Sequence, residues 1–186
     1  MPTPAGIEYP TAGNVMSPLH AQLIFIDDDS HEIIATEFIR MVLLAPAASV
    51  TPFSMQFPIR LLVANVIRIR AVIINFFAKW FVAKGNKVHD YLFDQFYQGL
   101  INFKWEHKII IPSEIKEEDL RNMNIPTLFL VGDKEIIYNH KKALSKAMKT
   151  LPNIQAVLIH GAGHALSIEK SDMVNEHILN LLMHRA

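Results

Sequence analysis

The sequence predicts an α/β fold built on a parallel sheet, and three patterns predict it. Residues 127–131 and 155–159 are apolar runs of strand length, the first stopped at Gly132 and the second just before Gly161 and Gly163. Between them, 139–151 keeps a helical period, with Ala143, Leu144, Ala147, Met148 and Leu151 on one face and lysines on the other. A shorter pair of apolar runs lies upstream at 23–26 and 41–44. Strand, helix, strand at such lengths reads as a parallel crossover. In open sheets of this kind, ligands and chemistry gather at the carboxyl ends of the strands.

The elements follow in order. Pro2, Pro4, Pro10 and Pro18, with Gly6 and Gly13, deny residues 1–18 a regular ladder and predict an irregular arm. The strand at 23–26 runs into Asp27-Asp28-Asp29-Ser30, which suits the start of a short helix over 31–38. The strand at 41–44, stopped by Ala45-Pro46, completes a small parallel unit. From 53 to about 118 the chain is apolar but carries Arg60, Arg68, Arg70, Lys79 and Lys84. Leu61, Leu62, Asn65, Val66 and Ile69 keep a mixed helical period, and Ile73, Phe76, Phe77 and Trp80 a clearer one. Gly85-Asn86 breaks the pattern, 88–103 is a further helix, and Pro112-Ser113 opens a charged one through Glu117, Glu118 and Leu120. After His164, Ser171-Asp172 caps a last helix whose Val174, Ile178, Leu181 and Leu182 face the core. The chain thus divides into 1–51, an arm plus the first strands; 52–123, a helical insertion; and 124–186, the return to the sheet.

A chain of 186 residues can bury a sizeable core in one domain. With 18 basic and 18 acidic residues it has no bulk charge to attract nucleic acid. The absence of cysteine excludes a disulfide framework, a thiolate zinc site and a cysteine nucleophile. His160 and His164 are four apart, but glycines between them break any helix and no third ligand is evident, so no metal or other cofactor is expected. No phosphate-binding or dinucleotide motif is found among seven glycines. The stretch from Arg60 to Lys84 is interrupted by charge too often to span a bilayer, and it reads as helices over a cleft rather than on a membrane. The first residues lack a basic and then apolar leader, so a cytoplasmic location is the default expectation.

Three stretches carry a family likeness: Val42-Leu43-Leu44-Ala45-Pro46-Ala47, residues 126–138, and His160-Gly161-Ala162-Gly163-His164-Ala165-Leu166-Ser167-Ile168-Glu169. In this order and spacing, the chain from about Met41 onward resembles the α/β-hydrolase superfamily, nearest to its carboxylesterase-like members. The resemblance implies a partial α/β-hydrolase parallel sheet with an inserted helical cap. It also implies ester or similar acyl hydrolysis through a serine acyl-enzyme, with a small apolar ester-like molecule as ligand. His164 then stands at the place of the general base. The family's acid lies three positions after the strand-ending glycine, which is Glu135, and Asp133 is the alternative acid or else a turn residue.

The nucleophile does not match. No Gly-x-Ser-x-Gly occurs, and Ser17 sits beside Pro18 with no strand before it. Ser30 follows a strand and opens a helix, as a nucleophile must, but Asp28 and Glu32 replace the flanking glycines and would oppose an oxyanion. Ser30 has the position of a nucleophile and the chemistry of a helix N-cap. Gly6 and Gly13 offer no oxyanion loop. The expectation is a truncated or rearranged hydrolase, impaired in turnover; the alternatives are a non-catalytic binding module and one half of a split enzyme. An open edge at strand 23–26 would invite a second copy or a complementing chain.

Overall fold

The computed structural model describes residues 22–26, 40–102 and 114–183. Four strands lie in the order β1 (Gln22–Ile26), β2 (Arg40–Leu44), β3 (Thr127–Gly132) and β4 (Ile154–Ile159). β2, β3 and β4 are parallel, with Met41 opposite Thr127 and Thr127 opposite Ile154. β3 is buried at every residue because it has a neighbour on each side and helices on both faces, so its sequence is a run rather than an alternation.

Successive side chains part to opposite faces. Met41, Leu43, Phe129 and Val131 meet Ala143, Ala147 and Leu151 on and beside α5 (His140–Thr150). Val42, Leu44, Leu128 and Leu130 meet Leu166 of α6 (Leu166–Glu169) and Val174 of α7 (Ser171–Met183). The sheet is therefore the middle of three layers. Asn139 starts α5 by accepting the Lys142 N–H at 3.0 Å. On that helix Met148, expected to face the core, is 62% exposed, because the small Ala143 and Ala147 already make the contact with the sheet.

One expectation is overturned at β1. It pairs with β2 antiparallel, Gln22 opposite Leu44 and Ile26 opposite Arg40, instead of forming a parallel crossover. Only residues 27–39 separate the two strands, close to the shortest chain that a crossover can use, whereas an antiparallel return needs no crossing of the sheet. The chain consequently leaves β1 beside Arg40, at the amino ends of the parallel strands. The arm over 1–18, the helix over 31–38 and Ser30 itself lie outside the described residues, while the charged helix expected to open at Pro112-Ser113 starts only at Glu117, because Lys116 before it is extended.

Between β2 and β3 run α1 (Gln56–Val66), α2 (Arg70–Val72), a π-helical turn (Ile73–Phe77), a 3-10 turn (Ala78–Phe81), α3 (Asp90–Asn102) and α4 (Glu117–Arg121). Ala64, Ile73, Ile74, Ala78 and Phe81 are buried, while Leu62, Val66 and Ile69 are exposed. The scattered arginines fasten these helices together. Arg60 bonds the Phe76 carbonyl and lies over the Phe76 and Trp80 rings at 4.4 and 4.8 Å. Arg68 bonds the Ile101 carbonyl, and Arg70 pairs with Asp94. Among the described residues, no helix is long and apolar enough to cross a membrane.

The core makes a direct prediction. Phe129 is fully buried in β3, so Phe129→Ala should cost about 3–5 kcal/mol, read as a lower urea midpoint for unfolding.

Candidate active site

Two loops meet at the carboxyl ends of β3 and β4. A Cβ on Gly132 would stand 2.1 Å from the Ala162 carbonyl oxygen and 2.7 Å from that of Gly163, so only glycine allows the two backbones this close. The loops are then joined by backbone bonds, Asp133 N–H to the Ile159 carbonyl at 3.0 Å and Lys134 N–H to that of Ala162 at 2.9 Å. Gly161 turns the chain off β4 with φ +68°. His164 is presented next, its N–H donating to the Phe81 carbonyl at 2.9 Å.

This junction brings Glu135 and His164 together. His164 Nδ1 lies 2.7 Å from Glu135 Oε2. The Glu135 side chain is fully buried and that of His164 is 13% exposed. Burying a carboxylate is costly unless it is hydrogen-bonded. Glu135 meets that condition, since its Oε1 accepts the N–H groups of Ile136 and Ile137 at 2.9 and 2.8 Å. A carboxylate facing Nδ1 holds the proton there and leaves Nε2 as the basic nitrogen. The rings of Phe81 and Tyr138 pack on the imidazole at 5.6 and 6.5 Å between centroids. Burial, and then the charge of Glu135, push the Tyr138 phenol well above its usual pKa, so it stays neutral. Its buried hydroxyl has no hydrogen-bond partner among the described residues.

Asp133 is engaged elsewhere. Its Oδ1 accepts the Gly161 N–H at 2.8 Å, and its Oδ2 faces His160 Nδ1 at 3.4 Å and Lys134 Nζ at 3.6 Å. Burial works to raise its pKa, but the Gly161 bond, the His160 ring and the Lys134 charge outweigh it and hold the carboxyl below the usual range. The two sequence candidates for the acid therefore sit in separate pairs, Glu135 with His164 and Asp133 with His160. Ser30 has no described position. Among the described residues, no group of three or more His, Asp or Glu side chains could hold a metal ion.

Glu169, Asn86 and Phe81 also belong to this junction, and sequence reasoning gave them no role. Glu169 stands in the stretch that carries the family likeness, which was the available signal. Its contacts reach back more than eighty residues, to Ala83 and Asn86, and no local pattern marks such a pairing.

Comparison with known proteins agrees with this architecture. The uncharacterized carboxylesterase nap of Bacillus subtilis (strain 168) is 32% identical over 111 residues, 55% of this chain and 36% of that protein. Carboxylesterase YbfK of the same organism is 28% identical over 112 residues, 57% of this chain and 38% of that protein. The crystal structure of naproxen esterase from Bacillus subtilis superimposes with a TM-score of 0.66 at 29% identity, over 76% of this chain and 50% of that one. The chain has a partial, carboxylesterase-like α/β-hydrolase fold. No family model matches the sequence. The matched part of this hydrolase fold spans less than two-fifths of the curated relatives and half of the solved structure.

Two predictions follow from these polar groups. Because the folded Asp133 carboxyl lies below its ordinary value, its contribution to stability is complete above about pH 3.9 and fades as pH falls through the folded pKa. Asp133→Asn should therefore lower the urea midpoint at neutral pH, and the gap from wild type should narrow in acid. Tyr138→Phe removes a buried hydroxyl without a described partner, and thermal unfolding should show no loss of stability, or a gain of up to about 1 kcal/mol.

Proposed function

We propose that this chain supplies the acid–base pair and the cap of a carboxylic-ester hydrolase, and that alone it hydrolyses esters poorly. The observation that carries the reading is the buried Glu135–His164 pair at the carboxyl edge of the sheet. In this reading His164 Nε2 takes the proton from an attacking hydroxyl and returns it to the leaving alcohol, while Glu135 steadies the imidazolium between the two steps. Asp133 shapes the turn. The insertion over 52–123 is the cap, and its apolar inner side receives a small apolar ester.

Impairment follows from the nucleophile. The 186 residues contain no Gly-x-Ser-x-Gly, and the strand that precedes Ser30 delivers the chain to the amino ends of the sheet rather than to His164. A triad without its serine loses most of its rate although binding survives. The serine is supplied by a segment that carries the missing elbow, in the same polypeptide or in another. β1 borders the sheet among the described residues and offers backbone donors and acceptors to such a segment or to a second copy.

Hydrolysis of p-nitrophenyl acetate tests this. Wild type, Ser30→Ala and His164→Ala should all run near background. Adding a polypeptide that carries the strand and Gly-x-Ser-x-Gly elbow of a similar carboxylesterase should raise the wild-type rate by about 100-fold or more, and His164→Ala should abolish the gain. Ser30-dependent turnover by the wild type alone would sink the impairment, and no gain on complementation would favour a non-catalytic binding module.

A further inference from the structure

Glu169 makes three hydrogen bonds whose partners come from two separate parts of the chain. Its Oε1 accepts the Gly163 N–H at 3.0 Å. Its Oε2 accepts the Ala83 N–H at 2.8 Å and the Asn86 side-chain amide at 2.5 Å. The same Asn86 amide donates to the Gly161 carbonyl at 2.6 Å. Beside them, the Phe81 carbonyl accepts the N–H groups of His164 and Ala165 at 2.9 and 3.2 Å. Bonds to a carboxylate are about twice as strong as neutral ones. The contact is also sterically exclusive: a Cβ on Gly163 would lie 2.6 Å from the Phe81 carbonyl oxygen, 2.8 Å from Ala83 N and 3.0 Å from Glu169 Oε1.

We propose that Glu169 is a positioning residue, a latch that seats segment 81–86 on the His164 loop so that His164 meets Glu135 only while that segment is down. This rests on the reading of His164 as the base and names how that base is controlled. The three hydrogen bonds of the Glu169 side chain go to Gly163, Ala83 and Asn86, and none of them goes to the imidazole. Glu169 acts on the backbone of Gly163, one residue before His164, and on the stretch of the helical insertion that packs Phe81 against the imidazole. Lifting segment 81–86 removes the Phe81 carbonyl from the His164 N–H and the Ala83 amide from Glu169 together. These bonds are lost as a set, so the base loop is loosened until the segment returns.

The test is amide exchange and proton spectroscopy by NMR on the full chain. Glu169→Ala should cut the protection of the Ala83 and Gly163 amides by about 10- to 100-fold, leave the Leu128 and Leu130 amides of β3 unchanged, and broaden or remove the downfield His164 Nδ1 proton held by Glu135. Glu169→Gln should be selective: its one carbonyl can serve the Ala83 side or the Gly163 side, so one of the two amides keeps its protection and the other loses it. Should Glu169→Ala fail to fold, Asn86→Ala, which strips one donor from a half-buried loop, should shift Gly163 in the same direction by less. Unchanged protection at Ala83 and Gly163, equal acceleration throughout β3, or an unaltered Nδ1 proton would each overturn the latch. These signals report on the latch whether or not esters are hydrolysed, so a negative ester assay leaves them readable.

Discussion

The site depends on one steric constraint, the approach of two backbones where β3 ends. Gly132 has no room for a methyl group against Ala162 and Gly163. That closeness lets the loop after β3 and the loop after β4 share backbone hydrogen bonds, and those bonds set the separation of Glu135 from His164. Neither side chain chooses its partner alone. The carboxylate is held by two backbone amides and the imidazole loop by a carbonyl from the segment between β2 and β3, so the backbone fixes both members of the pair.

Around that junction the charges are sorted by burial. The Glu135 side chain is wholly buried, and both its oxygens are engaged, one by two backbone amides and the other by the imidazole. Asp133, two residues earlier, is only partly buried and joins an exposed histidine and a lysine, which makes it a turn brace whose worth depends on pH. Two carboxylates on one loop thus differ in consequence because one faces the three-layer core and the other faces water. In the segment between β2 and β3, Arg60 and Arg68 bond backbone carbonyls at the surface, and Leu62, Val66 and Ile69 are exposed as well.

Much of this was legible in the sequence. Two apolar runs around an amphipathic helix sufficed for the parallel part of the sheet, because a strand buried on both faces needs apolar residues throughout and a covering helix needs only a stripe. The likeness in 126–138 and 160–169 singled out Glu135 and His164, and the structure brings those two together. The N-terminal strand was found at nearly its true bounds, yet its direction was misread. Hydrophobicity reports burial and not polarity of pairing, so β1 has the same composition whether parallel or antiparallel to β2.

Local pattern therefore determined the three parallel strands, the core stripe of α5 apart from Met148, and the two residues that the family likeness marks. Tertiary structure alone decided the direction of β1, the separation of Asp133 from His164, and the bonding of Glu169 to Ala83 and Asn86. The physical reason is range. Periodicity and turn chemistry act over a few residues, whereas these three outcomes depend on which backbones come within hydrogen-bond distance after the sheet has closed, and no short stretch of sequence carries that information.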